Sequence, residues 1–151
     1  MIEIRIQSEP FDPYREIDLL RAGNPAIGGI VSFLGLMRDL NQGEKVSAMN
    51  LEYYPGMTEK AVRSIVVEAY RRWELLGCRV IHRVGELYPT DIIVLVAIAS
   101  THRGDAFQAC EFIIDYLKTR APFWKKEITS KGTHWVDARS SDQAAEKKWE
   151  V

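Results

Sequence analysis

Ile92 to Ala99, read IIVLVAIA, is an unbroken apolar run that no surface strand or loop would carry. Its length and its β-branched content predict a strand in the middle of a sheet, spanning Asp91–Ser100. A helical pattern follows over Asp105–Arg120. Ala106, Ala109, Cys110, Ile113 and Leu117 recur on the inward side, while Gln108, Glu111, Asp115 and Lys118 take the other. A second helix is predicted over Thr58–Leu76, with Val62, Ile65, Ala69, Trp73 and Leu76 inward and Gly77 as its C-terminal cap.

Shorter elements surround these. Ile2, Ile4 and Ile6 alternate with polar neighbours and predict a half-buried strand; Asp12-Pro13 reads as an N-cap with proline opening a helix through about Leu20. Ala26–Met37 reads as a strand whose Gly28, Gly29 and Gly35 permit close backbone approach. Asp39–Lys45 reads as a polar turn and a mobile loop, Ser47–Tyr54 as a strand, Arg79–Leu87 as one strand and Phe123–Thr129 as another. A polar tail with a short helix near Ala144 closes the chain. Long helices after strand pairs make the class α+β, with a sheet covered on one side.

The 151 residues suit a single domain, and 46% hydrophobic with 27% charged content is ordinary for a soluble globular protein. No apolar run reaches the roughly 18 residues of a membrane span, and the charged start MIEIRIQSEPF is unlike a signal or transit peptide, so the cytosol is expected. Cys78 and Cys110 form no CxxC, and His82, His102 and His134 have no metal-ligand spacing. No metal and no cofactor is expected; redox or metal chemistry would have to come from another molecule.

On a chain of net charge −1, the segment Thr101–Glu127 gathers His102 and Arg103 at its start and Lys118, Arg120, Lys125 and Lys126 at its end. A local anion site fits this better than long-range attraction to nucleic acid, and a solvated cationic face is the plain alternative. Arg38 and Arg103 are suited to gripping phosphate through two hydrogen bonds, and His102 to donating one or moving a proton. Lys118 and Lys125 flank TRAPFW, where Ala121-Pro122 should end the helix and turn the chain, a turn able to bring both ammonium groups together. Gly28-Gly29 belongs to no phosphate-binding loop, and backbone packing accounts for it better. There is no GxSxG, HExxH or paired-carboxylate signature, and Glu111 and Asp115 read as a solvated face.

The segments GLMRDLNQGEKVSAMNLEYYPGMTEKA, THRGDAFQA, DYLKTRAPFWKKE and HWVDARSSDQ closely resemble the large, catalytic subunits of molybdopterin synthase. The resemblance implies an α/β-hammerhead fold with an additional antiparallel sheet, and a homodimer that binds a small ubiquitin-like sulfur carrier on each subunit to give a heterotetramer. The implied reaction is sulfur transfer, in two successive steps, from the carrier's C-terminal thiocarboxylate to cyclic pyranopterin monophosphate, giving the dithiolene of molybdopterin. Lys118 and Lys125 match the family's essential lysines beside the carrier tail. His102, Arg103 and Arg38 match substrate-pocket residues, Lys126 and Glu127 continue the binding segment, and Arg139 matches a further pocket position. In the family the pocket is built across the dimer. Phe33, Phe123 and Trp124 are candidate apolar contacts for the carrier.

Two other classes fit parts of the pattern. A noncatalytic module would use the same cations for a carrier's tail carboxylate. A single-stranded nucleic-acid binder would use basic residues among Phe123, Trp124 and Trp135, but the near-neutral charge opposes it. Neither nucleic acid nor membrane is expected as a partner.

Overall fold

The computed structural model describes residues 1–136 and 140–150. They run β1 (Ile2–Gln7), α1 (Pro13–Arg21), β2 (Gly29–Leu36), β3 (Leu40–Asn41), β4 (Glu44–Tyr53), α2 (Met57–Arg72), β5 (Gly77–Arg83), β6 (Gly85–Leu87), β7 (Ile92–Ser100), α3 (Arg103–Thr119), β8 (Phe123–Thr129), β9 (Gly132–Val136) and α4 (Ser140–Lys147). Two sheets result. One has the order β1-β5-β7-β2, parallel only between β1 and β5. The other has the order β3-β4-β8-β9, with β6 also paired to β4, and is antiparallel. The fold is α+β, as the sequence pattern predicts.

The apolar run lies in the interior of the first sheet, and its alternate residues enter different cores. Val94, Val96 and Ile98 pack with Val62, Val66 and Ala69 of α2 and with Ala106, Cys110 and Ile113 of α3. Leu95, Ala97 and Ala99 pack on the opposite face with Ile81 and with Leu20 of α1. The expectation of a sheet covered on one side is therefore corrected: a run apolar at every position needs cover on both faces, and α1 supplies the second. Each large aliphatic side chain buried here contributes about 1.5–3 kcal/mol.

α1 begins as its sequence dictates. The Asp12 carboxylate accepts from the backbone N–H of Tyr14 at 3.0 Å and of Arg15 at 3.4 Å, and Pro13 occupies the first helical position. The helix is fastened to the sheet by buried Glu16, which pairs with Arg79 of β5 at 2.6 Å and also with Arg5 of β1.

Other boundaries move. α2 stops at Arg72, not Leu76, because Trp73 turns aside to pack edge-on against Phe112 at 5.3 Å and donate from Nε1 to Gln108 at 2.6 Å. Leu76 N–H then bonds the Ala99 carbonyl at 2.8 Å, so Gly77 opens β5 instead of capping a helix. Arg79–Leu87 is two strands: Gly85 has φ 84°, and past it the chain leaves the first sheet for β4. The polar turn predicted over Asp39–Lys45 is present and joins the paired strands β3 and β4. Leu40 and Asn41 pair with Lys45 and Glu44 around Gln42 and Gly43, whose φ values of 51° and 81° suit a tight hairpin. β9, inside the stretch read as a polar tail, pairs with β8.

Gly28 serves packing. A Cβ on Gly28 would lie 2.1 Å from the Thr101 carbonyl oxygen, so only glycine lets the start of β2 pass the start of α3. Among the described residues no helix is long and apolar enough to cross a membrane.

Candidate functional site

A cavity of about 430 Å³ opens where the two sheets meet beside the C-terminal end of α3. Its apolar lining comes from Met49 and Leu51 of β4, Leu117 of α3, Phe123 of β8 and the end of β2. Onto this lining the fold projects Arg38, Lys118 and Lys125, with Glu127 and Asp142 as the acidic members.

Lys118 and Lys125 both line this cavity, an arrangement that a turn at TRAPFW allows. Arg120 caps α3, and the chain turns through Ala121-Pro122. The Pro122 carbonyl is held by the Thr58 hydroxyl at 3.0 Å, and that hydroxyl in turn accepts from Tyr54 N–H at 2.9 Å. The returning β8 alternates faces. Phe123, Lys125 and Glu127 line the cavity; Trp124, Lys126 and Ile128 fall on the other side. Lys126 Nζ lies 4.3 Å from the centre of the Trp135 ring, and Trp124 packs on Tyr54 at 5.6 Å between ring centres. Within one chain, strand parity therefore turns Lys126 away from this cavity.

Lys118 sits in the last turn of α3, where the helix dipole favours a cation, and forms no ion pair or hydrogen bond among the described residues. Glu127 is buried and accepts from Asn41 Nδ2 through both carboxylate oxygens, at 3.0 and 3.1 Å. Arg38, exposed just past β2, stands at the rim.

His102 and Arg103 are not at this cavity. Both are exposed at the N-terminal end of α3, and the 1.5 Å rise per residue puts Arg103 about 22 Å along the axis from Lys118. One chain does not unite all the expected cations. Arg139 lies outside the described residues.

Two cavity residues had no motif to announce them. Asn41 arrives with the short hairpin. His82 of β5 stacks on Phe123, with ring centres 4.0 Å apart and planes 17° off parallel. His82 Nδ1 lies 2.8 Å from the Arg83 carbonyl oxygen. Burial, assisted by the Lys118 charge and opposed by the bond to Arg83, pulls the imidazole down from 6.5 to about 4, so the ring is neutral near pH 7.

Both thiols are buried away from the cavity, and burial pushes each up to about 12. Neither is a ready thiolate. Among the described residues no group of His, Cys, Asp or Glu is arranged to hold a metal.

These features define a class: an α+β protein with a lysine- and arginine-lined cavity at the junction of two sheets. The MoaE protein family model matches residues 6–120. A molybdopterin synthase catalytic subunit from Ralstonia nicotianae is 58% identical over 100% of this chain and 86% of its own length. The solved structure of a molybdopterin biosynthesis MoaE protein from Burkholderia ambifaria is 56% identical, with a TM-score of 0.86 covering 100% of this chain and 99% of that one. The fold is also shared, at 16% identity and a TM-score of 0.72 over 92% of each chain, by a Helicobacter pylori structure described as a complex of subunits 1 and 2 of molybdopterin-converting factor. The chain belongs to the MoaE family, whose curated members are the catalytic subunits of molybdopterin synthase, and is an enzyme subunit.

Proposed function

We propose that this subunit transfers sulfur from the C-terminal thiocarboxylate of a small ubiquitin-like carrier to cyclic pyranopterin monophosphate. Two successive transfers give the dithiolene of molybdopterin. The observation that carries the reading is the convergence of Lys118 and Lys125, from either side of the Ala121-Pro122 turn, onto one apolar-lined cavity. Ammonium groups held there stabilise the charge that develops as the thiocarboxylate sulfur attacks, and orient the carrier's terminal carboxyl group through hydrolysis of the thioester-like intermediate. Arg38, which lines the cavity, takes the substrate phosphate through paired hydrogen bonds. Glu127 lines the same cavity. Inert, buried Cys78 and Cys110 agree with sulfur that arrives on a partner.

His102 and Arg103 enter this site from a second copy of the chain. Their position at the far end of α3 supports a homodimer in which each pocket draws on both subunits, inside a heterotetramer with two carriers. The carrier tail reaches the cavity in extended form. Lys126 stays with the binding segment through its outward face against Trp135.

The test mixes purified protein with thiocarboxylated carrier and cyclic pyranopterin monophosphate and scores dithiolene product by mass. Product that vanishes with Lys118→Ala establishes the reaction and its main residue. Tight carrier binding with no product would replace this reading with a noncatalytic binding module.

A further inference from the structure

Arg38, Lys118 and Lys125 at the cavity are hydrogen-bond donors, whereas the neutral His82 ring can offer an acceptor. Its ring is held on two sides. Phe123 stacks on one face at 4.0 Å between centres, and Nδ1 donates to the Arg83 carbonyl at 2.8 Å, which settles the tautomer. Nε2 is therefore left as a lone-pair acceptor. It makes no other hydrogen bond among the described residues, and His82 lines the cavity. Lys118 lines the same cavity, forms no ion pair or hydrogen bond among the described residues, and its charge is felt by the His82 ring. A flexible four-carbon ammonium needs a fixed acceptor to hold one direction.

We propose that His82 is a positioning residue for Lys118, its Nε2 accepting a hydrogen bond from the Lys118 ammonium so that the charge is held over the reacting atoms. The inference rests on the role given to Lys118 above. No proton changes owner. The ring stays neutral while Lys118 stays charged, because a ring held below its ordinary range is too weak a base to deprotonate an ammonium. The Phe123 stack and the Arg83 carbonyl fix the acceptor before substrate arrives, which is the condition for a donor to act without reorganising.

The experiment compares His82→Gln, His82→Asn and His82→Phe in the dithiolene-forming assay with intact thiocarboxylated carrier, each variant checked by thermal melting. Gln places an amide oxygen near the Nε2 position. Asn is too short to reach it, and Phe keeps the ring against Phe123 but has no acceptor. The expected result is kcat lowered roughly tenfold or more in the Phe and Asn variants, the scale of a lost hydrogen bond to a charged group, with KM unchanged and kcat largely restored by Gln. The double variant His82→Phe with Lys118→Ala should be no slower than Lys118→Ala alone. Normal kcat in a folded His82→Phe variant overturns the proposal. So does a change confined to KM, or a Gln variant as slow as Phe. An active Lys118→Ala variant instead overturns the role of Lys118 itself, which separates the two failures.

Discussion

Asn41 Nδ2 donates to both carboxylate oxygens of Glu127, at 3.0 and 3.1 Å, across 86 residues of sequence. The contact joins the β3–β4 hairpin to β8 and keeps a buried carboxylate satisfied beside two lysines. Asn41→Leu should destabilise the protein by about 1–3 kcal/mol, the usual cost of stranding a buried polar group. Urea unfolding of the two proteins checks this; equal midpoints would show that Glu127 finds other partners.

Lys118→Ala should lower turnover by two or more decades, on the scale of losing one preorganised charge donor. Its melting temperature should stay near wild type, because Lys118 is exposed. Product mass analysis and a thermal melt together separate lost chemistry from lost fold.

Arg103→Ala and Lys118→Ala should complement each other. In randomly mixed dimers, a site built across two chains recovers about a quarter of wild-type activity, because half the dimers are mixed and each holds one intact site. Activity no higher than that of the parents would mean that Arg103 serves no shared pocket.

Glu16→Ala should cost about 3–5 kcal/mol, because it leaves the buried Arg79 guanidinium without its carboxylate. Denaturant titration measures this directly, and activity per folded molecule should be unchanged, since α1 lies on the sheet face away from α3.

His82 gives a pH signature. Its folded value, about 4, lies below its ordinary 6.5, so between those values the unfolded chain binds the extra proton. Its contribution to stability is complete above about pH 6.5 and is lost as pH falls toward 4. Unfolding curves collected from pH 7 to pH 4 should lose part of that decline in His82→Phe. An identical decline would assign the acid sensitivity to other groups.

Most of the central sheet and both long helices were legible because their apolar spacing is strong: the IIVLVAIA run, and the inward sets of Val62, Ile65 and Ala69 and of Ala106, Ala109 and Ile113. The second sheet was less so. β9 reads GTHWV and is largely exposed, and β3 is only Leu40–Asn41, so neither offers the alternation that marks a buried face. Trp73 ended α2 early through contacts with Phe112 and Gln108 that no local pattern encodes. At the cavity, the cations around the Ala121-Pro122 turn were visible because charge and turn residues share one short segment. His82 was not, since an isolated histidine in a strand carries no spacing, and its meaning comes from Phe123 and Lys118, which are distant in sequence.

The face that β8 turns to the cavity is a matter of odd and even. Sliding the strand by one position against β4 would keep nearly every ladder hydrogen bond, yet it would carry Trp124 and Lys126 inward and expel Lys125 and Glu127. The irregularity between Val46 and Ala48, opposite Thr129 and Ile128, lies where such a slip would have to begin. Length changes in the strand are therefore not graded in their effect. One added residue inverts the chemistry of the site, whereas two would restore its parity.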